Sequence, residues 1–276
     1  MLTINVDPIA FNIGSLEIRW YGIMVALGVA LLLIIMPREA KRLGIPRDVY
    51  SIFFWGVVGG LAGGRLAFVF YDWEHFVANP RDIIGFQGLA QNGMIIGIIV
   101  AALIYMRVTR MRFSMLLSMG DALAVGAPLA LAIARIGCTI NGCCHGVSAP
   151  DLPWAVVYTH PDSLATLNVP VHPTTIYHLL WNLIVFAIVW RLRGKFKPEG
   201  SLFFFFLCIL AVGDFGIRFL RTDIPVLGWL RQAQVLDLGI LAVFLPWLIV
   251  KLRRFHKQAL VAELTTQPEP GQSREY

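Results

Sequence analysis

The chain predicts an all-α polytopic membrane protein with about seven transmembrane helices, its N-terminus outside and its C-terminus in the cytoplasm. Three observations carry that reading. Hydrophobic residues make up 57% of the 276 positions and charged residues only 14%, with mean hydropathy +0.69, which excludes a soluble globule of this size. The apolar residues fall into runs at 19–37, 50–71, 93–110, 114–136, 175–192, 200–219 and 234–251. About 20 apolar residues at 1.5 Å rise cross a hydrocarbon core of roughly 30 Å. Finally, the connections between runs alternate between rich and poor in basic residues.

That alternation sets the topology. Arg38, Lys41, Arg42 and Arg47 follow the first run, and Arg107, Arg110 and Arg112 follow the third. Arg191, Arg193, Lys195 and Lys197 follow the fifth, and Lys251, Arg253, Arg254 and Lys257 the seventh. The intervening 72–92 carries only Arg81, and 137–174 carries no lysine or arginine. Positive charge stays on the cytoplasmic side, so those poor connections are outside. The net charge of +6 is topogenic, and no motif points to nucleic acid.

Taken in order, the first run begins at Trp20-Tyr21 and has neither a basic n-region nor a small-residue cleavage site, so it is expected to be retained. The second carries Gly56, Gly60, Gly64 and Gly59, Gly63 at spacings that let a neighbouring helix approach closely. It also carries Arg65. Gln91-Asn92-Gly93 open the third run. The fourth holds Asp121, about 21 Å along the axis from Arg135, where a structural hydrogen-bonding role fits better than catalysis. His172 precedes the fifth run, and Arg218 and Arg221 close the sixth. Residues 1–258 form one membrane domain in this reading, and 259–276 a polar, disordered cytoplasmic tail.

This topology gathers Tyr21, Arg65, Asn92, Arg135, His172, Arg218 and Arg221 at the outer level. A charge at membrane depth costs roughly 2.5–3.5 kcal/mol even on mild scales, so it pairs, faces a wet cavity or serves a function. Snorkelling to the interface accounts for any one of these arginines. Four on the side where arginine is normally scarce point instead to an anionic ligand, and a phospholipid head group is the natural one.

The same level holds Cys138, Cys143, Cys144 and His145. On an oxidising side they read as a structural disulfide, as free thiols or as a metal site; the C-x4-C-C-H spacing matches no familiar zinc pattern, and no metal or cofactor is expected. Cys208, mid-run, reads as a small core residue. His145 and His172 are possible bases, His172 also a loop anchor. His75, His160 and His178 carry no readable signal.

At ARIGCTINGCCHG, residues 134–146, the chain resembles the prolipoprotein diacylglyceryl transferases. The likeness continues through IRWYG at 18–22, GGRLAFVFYD at 63–72, Asp121 with Ala127-Pro128, HPTTIY at 172–177, and FLR and QVL at 219–221 and 234–236. It implies a transferase that moves the diacylglyceryl group of phosphatidylglycerol to the lipobox cysteine thiol of lipoprotein precursors in the inner membrane, with glycerol-1-phosphate leaving. Arg135, Asn141 and Gly146 fall on the family's site motif, Tyr21 on its first-helix tyrosine and Arg221 on its late arginine.

The chemistry suits the residues. An arginine fork stabilises a leaving phosphate bidentately, and the incoming thiol must become a thiolate. Arg135, Arg221 and Arg218 are expected on the phosphate, with Asn141, Gly146, Tyr21, Arg65 and Asp214 positioning the lipid. Asn92, His145 and His172 are expected around the thiol.

The chain also departs from the family pattern. Asn92 stands where many members have histidine and cannot take a proton at neutral pH. Cys138 replaces an asparagine, and Cys143 a glutamate, so a thiol at 143 is not expected to be the shared catalytic group. Asp214 occupies the position of a functional arginine and Arg218 that of a glutamate, an exchange that keeps an i,i+4 pair in the favourable order. Two other classes stay open: a relative that binds anionic lipid or precursor without turnover, and a membrane thiol-redox protein.

Overall fold

The computed structural model describes residues 1–14, 16–45, 49–80, 90–196, 198–223 and 225–266. Arg47, Arg81 and Lys197 lie outside them, as does the tail from 267. Among the described residues six helices are long and apolar enough to cross a membrane, and Asn92–Val108 is a shorter apolar helix. The seven match the seven runs. The long helices are α1 (Trp20–Arg42), α2 (Val49–Tyr71), α5 (Phe113–Asn141), α6 (Thr174–Leu192), α7 (Ser201–Ile217) and α8 (Gln232–Thr266). Between α2 and α5 lie α3 (Trp73–Ala78) and α4 (Gln91–Val108). The helical backbone of α8 runs through 259–266, the first part of the expected tail.

Two units make up the chain, Met36–Ala122 and Met1–Ile35 with Leu123–Tyr276. In the first, α2 packs on α4 glycine to glycine. A Cβ at Gly63 would stand 2.8 Å from the Gly97 Cα, and one at Gly59 would stand 2.5 Å from the Gly97 carbonyl. Lipid supplies no hydrophobic force between helices, so such close backbone approach is what holds the pair. Gly59 and Gly63 meet Gly93 and Gly97, and Gly60 meets Ile98, while Gly56 meets nothing within 4 Å among the described residues.

In the other unit the core lies among α5, α6 and α7, where Ala124, Val125, Val185, Val189, Leu202 and Phe206 are buried together. A Cβ on Gly28 would stand 2.9 Å from the Ala130 carbonyl, so α1 approaches α5 closely there. Phe204 of α7 stacks on Phe244 of α8 with centroids 4.6 Å apart. One end of this bundle is basic and aromatic: Arg193 lies 3.5 Å over the Trp190 ring and Lys251 4.5 Å over Trp247, while Lys251 donates to the Glu199 carbonyl.

The other end carries short strands that the all-helical expectation did not include. Strand β1 (Leu2–Ile4) pairs in parallel with β4 (Val156–Tyr158), which pairs antiparallel with β5 (Pro170–Val171). Val156, Tyr158, Ala165 and Val171 form a small core beneath them. A hairpin of β2 (Ile9–Ile13) and β3 (Leu16–Arg19) leads into α1, and β6 (Pro225–Leu227) with β7 (Leu230–Arg231) leads into α8. Three-residue strands have too short a pattern to register against runs of twenty apolar residues.

Candidate functional site

The site end is built first by the exit from α5. Gly137 is required because a Cβ there would come within 2.8 Å of the Tyr21 Cα, so the backbones of α1 and α5 approach closely at this level. Two residues on, the Thr139 hydroxyl donates to Thr175 on α6 at 2.9 Å. Asn141 ends the helix buried, its Oδ1 accepting from Arg19 Nη1 at 3.2 Å and its carbonyl accepting from the Leu164 amide at 3.1 Å.

Gly142 (φ 73°) and Cys144 (φ 61°) then turn the chain through the left-handed region. This curls the loop back over its own helix end. Left-handed backbone at a non-glycine residue is strained and clusters at functional sites. The sulfurs of Cys138, Cys143 and Cys144 all lie within 4.8 Å of one another, and all four cysteines are free thiols.

Gly146 fastens this loop. Its amide donates to the His172 carbonyl at 2.9 Å, the next amide, Val147, donates to the Leu220 carbonyl at 2.8 Å, and Gly146 bridges to Arg221. A Cβ at 146 would stand 2.6 Å from the His172 Cβ. Glycine is therefore present for close approach of three segments.

The exit from α7 supplies the charged groups. Residues 214, 218 and 221 do not share one helical face as the spacing alone suggests. Helix α7 ends at Ile217, Arg218–Leu220 forms a 3₁₀ turn, and Arg221 is extended. The charge pair is real: Arg218 Nε donates to Asp214 Oδ2 at 2.8 Å. What joins the arginines is Asp223, which accepts from Arg218 Nη1 at 2.9 Å and from Arg221 Nη2 at 3.0 Å.

Arg231 pins the same turn, donating to the carbonyls of Arg221 (2.6 Å) and Asp223 (3.1 Å). Gln234, fully buried, ties the start of α8 to α7 by donating to the Phe215 carbonyl at 3.2 Å. His178 of α6 places Nδ1 3.5 Å from Asp214 Oδ1, and Asp237 of α8 also faces Asp214. Buried atoms without a partner among the described residues include Arg221 Nε, His178 Nε2 and Asp237 Oδ2.

Arg135 stands apart from this pinning. It acts electrostatically on Tyr21, Cys144, His178 and Asp214, so the ends of α1, α5, α6 and α7 share one charged locus. Among the described residues its guanidinium makes no ion pair. Around the loop, Cys144 is held below the usual thiol range, because Cys138 and Cys143 hydrogen-bond to it and Arg221 and Arg135 add positive charge. Burial and then the Arg221 charge lower His145, whose Nε2 lies 3.5 Å from the Thr166 amide. Burial pushes Tyr158 up to about 12.

Tyr21, Arg135, Asn141, Gly146, His172, Asp214, Arg218 and Arg221 thus come together with the cysteines and His145. Arg65 and Asn92 belong to the other unit. There Arg65 lies 5.2 Å over Phe76 and 5.6 Å over Phe68, and Asn92 is half-buried at the start of α4. His172 serves the loop through both backbone groups, and its Nδ1 lies 3.4 Å from the Tyr177 hydroxyl, which also accepts from Trp154.

Sequence reasoning missed Arg19, His178, Asp223, Arg231, Gln234 and Asp237. For Asp223 the signal was present: an acid two residues past Arg221, in an uncharged context, is placed to pair with it. The others act through contacts with no local signature.

A bundle of membrane helices that collects arginines at one end, two of them pinned by one carboxylate and a third making no ion pair among the described residues, defines a polytopic membrane protein with a cationic locus at that end. The sequence matches the prolipoprotein diacylglyceryl transferase family over residues 8–250, and the chain belongs to that family. It is 36% identical over 256 residues to the phosphatidylglycerol–prolipoprotein diacylglyceryl transferase of Dehalococcoides mccartyi, covering 92% of this chain and 97% of the relative. It is 37% identical over 235 residues to that of Clostridioides difficile, covering 84% and 90%. Against that of Coxiella burnetii the identity is 32% over 253 residues, covering 87% and 93%.

Proposed function

We propose that this protein transfers the diacylglyceryl group of phosphatidylglycerol to the lipobox cysteine thiol of lipoprotein precursors, releasing glycerol-1-phosphate. The observation that carries the reading is the pairing state of the arginines. Arg135 is unpaired among the described residues, Arg221 keeps a buried Nε without a partner, and both act on Cys144. Donors left open in a buried, cationic corner suit a phosphate, which takes two N–H bonds from one guanidinium fork. As the carbon–oxygen bond breaks, charge builds on the leaving phosphate, and preorganised donors of this kind lower the barrier most at that moment.

Arg135 and Arg221 hold the phosphate in this scheme. Arg218 adds positive field while its own fork serves Asp214 and Asp223. Asn141, Gly146, Tyr21 and Asp214 shape the lipid site, and His145 and His172 stand by the incoming thiol; the assignments of Arg65 to the lipid and of Asn92 to the thiol rest on the family resemblance alone. The membrane domain 1–258 carries the chemistry without the polar tail.

The site faces the outer side of the bacterial inner membrane, with the N-terminus outside and the C-terminus cytoplasmic. Support comes from the basic residues Arg191, Arg193, Lys251 and Arg254 collecting at the bundle end away from Arg135. Labelling of cysteines introduced at Ser163 and Glu199 should occur from opposite sides; access of both from one side rejects the topology.

The activity is tested by incubating purified protein with phosphatidylglycerol and a lipobox peptide. A peptide gaining one diacylglyceryl thioether, with equimolar glycerol-1-phosphate, is expected. Bound but unreacted lipid would place the chain among binding proteins instead.

A further inference from the structure

We propose that Cys138, Cys143 and Cys144 form a three-thiolate site for a zinc-class cation whose open fourth position takes the precursor's thiol. The second half rests on the transferase reading; the first does not. It departs from the expectation of no metal, and from the expectation that the thiol at 143 is not a catalytic group.

The geometry is that of a ligand set. Three sulfurs lie within 4.8 Å of one another. A tetrahedral ion with bonds of about 2.3 Å holds its sulfurs about 3.8 Å apart, so a closure of roughly 1 Å suffices. Cys138 comes from the last turns of α5, while Cys143 and Cys144 are brought back to it by the left-handed residues Gly142 and Cys144. The strain at Cys144 is maintained by the anchoring of Gly146 and Val147 and by the Thr174 hydroxyl, which donates to the Cys144 carbonyl at 2.7 Å.

Thiolate sulfur selects soft ions such as zinc over the hard oxygen-seeking cations. Three thiolates around a divalent ion leave one net negative charge, and Arg135 and Arg221 are the groups that balance it. Among the described residues no fourth histidine, cysteine or acid joins the cluster. Structural zinc sites are closed with four protein ligands, whereas catalytic ones keep three and an open position.

An open position on a thiophilic ion answers a need of the reaction. Coordination strips the proton from a thiol outright, and the proton passes to water. The metal-bound sulfur then attacks the glyceryl carbon that bears the phosphate ester. A carbon–sulfur bond forms, the carbon–oxygen bond breaks, and its electron pair leaves on the oxygen of glycerol-1-phosphate, which is protonated from water. The product thioether is neutral and a weak ligand, so it departs. No oxidant or reductant enters. The arginines beside Cys144 would hold the phosphate next to the bound sulfur.

The test uses the full chain, reduced and stripped with chelator in detergent, then given Zn²⁺ or, as a spectroscopic probe, Co²⁺. One ion per chain is expected, with thiolate-to-cobalt charge-transfer bands that strengthen when lipobox peptide is added and do not change with a peptide carrying serine in place of its cysteine. Changing Cys138, Cys143 and Cys144 together to serine should abolish stoichiometric binding, each single change should weaken it by roughly 10-fold or more, and Cys208→Ser should leave it intact. Thermal unfolding of each single variant separates lost ligation from lost fold.

No ion on the reduced protein, an ion retained by the triple variant, or a bound ion that never takes the peptide's sulfur would each overturn the proposal. Full transfer by metal-free protein would overturn it and leave the transferase reading standing. Sulfur coordination without any transfer would support the metal site and overturn that reading.

Discussion

The α2–α4 pair and the polar end of the α5–α8 bundle solve one problem in opposite ways. Helices in lipid gain little from burying apolar side chains, so contact must come from close packing or from polar bonds. Gly59, Gly63, Gly93 and Gly97 choose the first by removing side chains altogether. Asp214, Arg218, Asp223, Arg221, Arg231 and Gln234 choose the second, and each donor or acceptor there positions another. The two arginine environments show the same contrast. Arg65 lies over aromatic faces, whereas Arg218 and Arg221 are oriented by a shared carboxylate. A glycine interface can specify distance but not charge, so chemistry is expected at the polar end.

The sharpest way to break that contrast is Arg135→Ala. If its fork clamps the leaving phosphate, transfer should fall about 100-fold or more while membrane insertion is unchanged. Arg135→Lys should also be impaired, because a point charge does not replace the fork. Near-normal turnover by the alanine variant would reduce Arg135 to an interfacial anchor and make the polar end structural.

Next in size are the exchanged charges. Asp214→Arg alone sets two arginines at i,i+4, and Arg218→Glu alone faces Asp214. The double change restores that pair, but it also turns a carboxylate toward Asp223, which now holds Arg218. Recovery in a double-mutant cycle on transfer should therefore be partial. Full recovery would show that Asp223 does not orient Arg218, and strictly additive losses would show no coupling at all. Asp223→Ala should cost about 1.5–3 kcal/mol through its charged hydrogen bonds and lower transfer, read by unfolding in detergent and by turnover.

Gly63→Ala tests the other region. Overpacking typically costs about 1–3 kcal/mol, so the midpoint of unfolding should drop. An unaltered midpoint would mean that the glycine contact is slack. The smallest effect is expected from Arg65→Ala, at least the ~0.5–1 kcal/mol of its two ring contacts. A large loss of transfer with little loss of stability would instead assign Arg65 to the lipid site.

Seven helices were legible in the sequence because their signal is local and redundant: twenty apolar residues announce a span whatever surrounds them. Arg135, Asn141 and Gly146 were legible for a related reason, since they sit in one contiguous segment between two spans. The strands β1, β4 and β5 were not, because each is only two or three residues long and β1 finds β4 across more than 150 positions, which leaves no periodic trace.

The sequence by itself determined the class, the seven runs, the asymmetry of charge and the presence of arginines where lipid disfavours them. It also placed Asp214 four residues before Arg218, close enough for a helix to pair them. Only the tertiary structure decided that α7 unwinds before Arg221, that Asp223 joins the two arginines, and that three cysteines bring their sulfurs together. Hydropathy and helical pitch are sums over neighbours in the chain. Which donor finds which acceptor depends on where separate helix ends meet, and that is settled only when the helices pack.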